Sequence, residues 1–123
     1  MDLAAVRSEF ADIKERTQGV RSLLLVTDDG FPLASTLDAG EEEVRSTAVG
    51  AILTDAGARA LSEMDLGNLD VVVALGETGY FVLKRLDENA TIMAVCGRDV
   101  QLGLVLARVR SAFPRILEAY GRE

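Results

Sequence analysis

The sequence predicts an α+β fold in which three helices sandwich a sheet built from a hairpin and a meander. Three observations carry this. Apolar residues recur at helical spacing in three separate segments, and short runs of Val, Leu and Ile between them are bounded by turn signals. The resulting order is helix, two strands, helix, three strands, helix. The later strands are apolar on both faces, so helices should cover both sides of the sheet. At 123 residues the chain reads as one domain, residues 1–123, long enough for one core.

Each element has its own local cause. Leu3, Val6, Phe10 and Ile13 make a single helical stripe, and Gln18-Gly19 stops that helix. Val20 to Thr27 is a strand, Asp28-Asp29-Gly30 a hairpin turn, and Phe31 to Thr36 the return strand. Pro32 cannot donate to a ladder, which puts the return strand at a sheet edge. Asp38-Ala-Gly-Glu41 fits a helix start, with Glu41, Glu42 and Glu43 loading the first turn, and this helix should run to about Met64. Leu69 to Leu75, Tyr80 to Leu86 and Ala90 to Gly97 form the meander, whose first strand reads as the other edge. Asp99 is a good N-cap for the last helix, and Pro114 should kink or break that helix near Ala112.

The middle helix carries two glycines, Gly50 and Gly57, although each costs about 1 kcal/mol against Ala in a helix interior. At 100° per residue, Val49, Ile52, Leu53, Ala56, Ala60 and Met64 share one sector, which reads as the core face. Gly50, Thr54, Gly57 and Leu61 form a second stripe about a quarter turn away, flanked by Thr47, Ala51 and Ala58. Arg45, Asp55, Arg59 and Glu63 occupy the remaining side. Two arrangements account for the glycines. They form a seam for the same helix of a second subunit, or they let the helix approach its own sheet closely. The first is the expectation here. Leu69, Val71 and Val73 on the edge strand then join the dimer interface, because a long apolar edge invites pairing.

Composition narrows the function. Apolar residues make up 49% and charged residues 27%, which excludes wholesale disorder. A net charge of −7 disfavours nucleic acid and anionic membrane as partners. No apolar run is long enough for a membrane span, and no signal peptide opens the sequence. The one cysteine, Cys96, lies in an apolar run and reads as a buried small hydrophobe, in keeping with a reducing cytoplasm. With no histidine there is no ordinary zinc site and no Ser-His or Cys-His pair, and no phosphate-binding glycine motif is present. Catalytic, cofactor and metal residues are therefore all expected to be none. Asp28-Asp29, Glu41 to Glu43 and Asp87-Glu88 read as turn and helix-start chemistry. Arg45 and Arg59 read first as surface ion-pair partners, Arg59 with Asp55 or Glu63, and second as arginines that act on a partner's site.

The run Gly19-Val-Arg-Ser-Leu-Leu-Leu-Val-Thr-Asp-Asp-Gly-Phe-Pro-Leu-Ala-Ser35 resembles the first hairpin of the roadblock / dynein light chain family. The Ala/Gly-rich middle helix, the meander and the closing helix extend the resemblance from about Leu3 to Ala119. The compact prokaryotic members, the MglB type among them, look most similar. The resemblance implies a five-stranded antiparallel sheet between one helix and two. It also implies a homodimer formed through the middle helix and the first meander strand, with a tetramer left open. Members scaffold or regulate Ras-like small GTPases, and MglB-type members stimulate a partner's GTP hydrolysis without being enzymes themselves. The expected function is thus a cytoplasmic, non-catalytic regulator of a Ras-like GTPase. Arg45, Asp55, Arg59 and Glu63 are the expected partner contacts. A structural adaptor with no nucleotide-state preference is the alternative, and a small-molecule sensor or enzyme is disfavoured by the missing catalytic groups.

Overall fold

A computed structural model describes residues 1–122. The elements are α1 (Leu3–Arg16), β1 (Val20–Thr27), β2 (Pro32–Ser35), α2 (Glu41–Glu63), β3 (Val71–Leu75), β4 (Gly79–Arg85), β5 (Ala90–Gly97) and α3 (Leu102–Gly121). The five strands make one antiparallel sheet in the order β2-β1-β5-β4-β3. Both expected edges are found: β2 with its Pro32 at one side, β3 at the other.

Alternation along β1 divides the core in two. Leu23 and Leu25 face a large cluster with Val6, Phe10 and Ile13 of α1 and Val105, Val109 and Ile116 of α3. Leu24 and Val26 face a small cluster with Leu83 and Met93, around which Val49, Ala51 and Leu53 of α2 are half-buried. So α1 and α3 lie on one face of the sheet and α2 alone on the other. Each fully buried Leu, Ile or Phe contributes about 1.5–3 kcal/mol of transfer free energy, so the two-helix face dominates stability. Cys96 belongs to that larger cluster, and burial pushes its thiol up to about 11, leaving it a thiol at neutral pH.

Several local expectations change. Asp2 caps α1 by accepting from the Ala5 N–H at 3.0 Å. Gly40, not Asp38, is the N-cap of α2 and has no side-chain cap bond, although Glu41 to Glu43 do fill the first turn. The N-cap of α3 is Gln101 rather than Asp99, whose carboxylate packs instead beside Gly19 and Gly97. Pro114 does not break α3, which runs unbroken from Leu102 to Gly121. Apolar packing holds the helix on both sides of the proline, through Val109, Ala112 and Ile116.

The main correction concerns the faces of α2. The glycine stripe lies against the chain's own sheet. A Cβ on Gly50 would sit 2.9 Å from Met93 Sδ, and one on Gly57 would sit 2.6 Å from Val72 Cγ2. Thr47, Gly50 and Thr54 are the buried residues of α2. Their burial is possible because Thr47 Oγ1 donates to Glu43 O at 2.7 Å and Thr54 Oγ1 to Gly50 O at 2.8 Å, so neither of these two hydroxyls goes unpaired. The sector expected to be core is turned to the flank and outward instead: Val49 and Leu53 are only half-buried, and Ile52 is 66% and Met64 69% exposed. Gly57→Val should therefore destabilise the fold by about 1–3 kcal/mol through overpacking against Val72. Gly50→Ala should be near neutral, because the flexible Met93 thioether can move and helix propensity improves. Denaturant midpoints for the two variants check both.

Candidate functional site

Three features surround the outward side of α2. Ile52 lies at the centre of its exposed face, with Val44 nearer the N-terminus, and both are exposed. Arg45, Asp55, Arg59 and Glu63 share this face and are all exposed. Arg59 Nε donates to both Asp55 oxygens at 3.0 and 2.9 Å, an i,i+4 pair on the open surface. Such a pair contributes only tenths of a kcal/mol, so it orders the two side chains without locking them.

One flank of α2 carries Val49, Leu53, Ala56, Ala60 and Met64, of which Val49 and Leu53 pack on the small cluster together with Phe81 and Val95. Val49 and Leu53 are half-buried there, whereas Ala56, Ala60 and Met64 are exposed. Beyond them a corner of that face is a depression of about 570 Å³ lined by Ala74, Phe81 and Val95, with Arg21 and the end of β3 at its rim. It ends at β3, the open edge.

The residues expected to form the dimer seam fall differently. Thr47, Gly50, Thr54 and Leu69 are buried within the chain itself. Ala51, Gly57, Ala58, Leu61 and Val71 are half-buried and Val73 is exposed. The structure thus brings Val71 and Val73 to an open edge, but turns the glycine stripe inward.

A second cluster ties the loops at one end of the sheet. Arg85, at the end of β4, donates to Asp28 Oδ2 from Nη2 at 2.8 Å and to Oδ1 from Nη1. It also donates to Glu88 O at 2.6 Å and to Thr91 Oγ1 at 3.0 Å. This clasp joins the β1–β2 turn to the β4–β5 turn. The paired guanidinium holds the Asp28 carboxyl below its ordinary value. Adjacent carboxylates before a glycine gave no sign of it, because its partner is distant in sequence. Among the described residues no group of acidic or thiol side chains is arranged to hold a metal ion.

The model of the Roadblock/LC7 domain matches residues 13–96, well over half the chain. The chain belongs to the Roadblock/LC7 domain family. Solved structures agree in fold. Myxococcus xanthus MglB has a TM-score of 0.84 at 11% identity, covering 97% of this chain and 90% of that one. The gliding protein MglB of Thermus thermophilus has a TM-score of 0.82 at 16% identity, covering 96% and 90%. A Roadblock/LC7 domain from Streptomyces avermitilis has a TM-score of 0.78 at 17% identity, covering 90% and 97%. Among curated proteins none matches significantly. No helix of the described residues is long and apolar enough to cross a membrane.

The Arg85 clasp is mostly stabilising. Arg85→Ala should lower stability by about 1–3 kcal/mol, since it removes charge-assisted bonds around a mostly buried guanidinium. Because the folded Asp28 carboxyl titrates below its unfolded value, its contribution is present above the unfolded pKa and is lost as pH falls through the folded pKa. The stability difference between wild type and Arg85→Ala should therefore shrink on acidification below about pH 4, as thermal melts across pH would record.

Proposed function

We propose that this roadblock-family chain is a homodimeric, non-catalytic, cytoplasmic regulator of a Ras-like small GTPase, binding it through α2. The observation that carries this is the outward face of α2. A roughly two-thirds exposed Ile52 lies among Arg45, Asp55, Arg59 and Glu63, on a helix already anchored by its opposite side. An apolar anchor ringed by charges of both signs is the anatomy of a protein-binding surface. The likeness to MglB in fold supports a GTPase as the partner, as the sequence resemblance implies.

Dimerisation follows from the apolar flank and the open corner beside it. Two copies placed about a twofold axis would pair β3 with β3 and set the two α2 helices side by side. The flank Val49, Leu53, Ala56, Ala60 and Met64 would then close over the corner formed by Ala74, Phe81 and Val95. The seam expected on the glycine side is in this reading the Val49–Met64 side. One solved MglB carries a tetrameric arrangement, so a pair of dimers is within the range of related folds.

A regulator with no reacting group of its own acts by binding one conformation of the GTPase better than another. Ordering the GTPase's switch segments would place that protein's own residues for hydrolysis.

Ala60→Arg and Met64→Glu alter exposed side chains. They should leave the circular dichroism unchanged while halving the mass found by light scattering at micromolar concentration. A wild-type monomer would remove the dimer from this reading. For the partner, the chain should retain a small GTPase from extract with a non-hydrolysable GTP analogue more than with GDP. Ile52→Glu combined with Arg59→Glu should weaken retention by roughly tenfold or more, as expected for loss of a central anchor. Equal retention in both nucleotide states favours the adaptor reading, and no GTPase in either sinks this one.

A further inference from the structure

The face of β3 opposite α2 is apolar and covered only at its start, where Val71 is half-buried against the large cluster. Val71, Val73 and Leu75 alternate onto it, paired across the strands with Lys84, Val82 and Tyr80. Val73 is 40% and Leu75 60% exposed. The wall beside them is one flank of α3. Leu102, Leu106, Arg110, Phe113 and Leu117 lie within about 80° of its surface at 100° per residue. Phe113 fixes that flank toward the strand edge, because Lys84 Nζ sits 4.7 Å from its ring centroid. Leu117 continues the strip and is 40% exposed.

The charge here runs against the rest of the chain. Net charge overall is −7, yet α3 and the residue after it carry Arg108, Arg110, Arg115 and Arg122 against Glu118 alone. Arg115 is taken up by Glu9, and Arg122 by Asp2 and Glu118. Arg110, the cation on the apolar flank, forms no salt bridge among the described residues, and the carboxylate nearby, Asp70, is bonded to Lys84. Lys84 is held by Asp70 at the foot of the strip.

We propose that, in the dimer, the two strips meet across the twofold axis to form one trough between the paired α3 helices, and that a single acidic amphipathic helix of a partner protein lies in it. This rests on the β3-to-β3 pairing proposed above. Pairing covers the α2 side of both edge strands but leaves Val71, Val73 and Leu75 of each protomer facing out on the other side. From β4 of one protomer to β4 of the other is three strand spacings, about 14 Å. A helix with its side chains is about 10–12 Å across, so one fits and two do not. Its apolar side would cover Val73, Leu75 and Leu117, and its carboxylates would reach Arg110 of both protomers. The trough lies on the face away from the α2 platform, so a GTPase and this helix could be held together.

The test uses the whole chain and a labelled peptide of about five helical turns, with leucines at positions a and d and glutamates elsewhere. The same peptide with lysines in place of glutamates is the comparison. Mass by light scattering is measured first. The expected result is a dimer that binds one glutamate peptide and prefers it over the lysine peptide. Arg110→Glu should weaken that binding by roughly tenfold, and Leu117→Asp should abolish it, with the dimer mass unchanged in both. A dimer that binds neither peptide, binds both alike, or takes two peptides overturns the trough and leaves the dimer standing. A tetramer that Leu117→Asp reduces to dimers gives the strip to a second dimer and overturns the partner helix. A monomer overturns the dimer and the trough together.

Discussion

How near α2 can come to the sheet decides the rest of this molecule's surface. Two positions without side chains, Gly50 over Met93 and Gly57 over Val72, set that distance. A close approach needs a small face, so the small face is inward. The larger apolar residues of the same helix are then turned to the flank and the outside, where Ile52 and Met64 stand open. A helix that kept its bulky side inward would be farther from the sheet, and would present only glycine, alanine and threonine to a partner. The cost of two glycines in a helix is offset by the close packing they allow against Met93 and Val72.

The two faces of the sheet carry unequal duties. The α1/α3 side holds the large cluster and most of the buried area, while a four-residue cluster under α2 is enough to seat one helix. The stable side therefore leaves the other free to be shaped for binding. Charge is divided along the same lines. Helix α2 opens with Glu41, Glu42 and Glu43, whereas α3 is rich in arginine. The two faces thereby offer different electrostatic surfaces, as the two proposed binding modes would require.

Most of the fold was legible because it rests on local rules. Periodicity placed all eight elements, the Asp-Gly turn and Pro32 placed the hairpin and one edge, and the apolar meander strands pointed to cover on both sides. The faces of α2 were not legible by size. Ranking Val, Ile and Met as interior ignores that distance to the sheet is also a variable, and that small residues allow the nearer approach. One signal was present. Thr47 and Thr54 flank the glycines, and a helical threonine buries without loss because its hydroxyl bonds the carbonyl one turn back. The Arg85–Asp28 clasp had no local signal, since its partners are brought together only when β4 and β1 share a sheet. The helix caps were misplaced by two residues, within the usual fraying of boundaries.

The unequal edges of the sheet have a consequence for assembly. Strand β2 is four residues long, carries Pro32, and shifts register against β1, so it offers little template for another strand. Strand β3 has no proline and no irregularity in its pairing with β4. A sheet with one blunt end and one adhesive end cannot polymerise. When two adhesive ends meet, both are consumed, and what remains at the far sides is blunt. In the proposed β3-to-β3 dimer the short, proline-marked hairpin strand would thus act as a chain terminator, limiting one sheet to two copies.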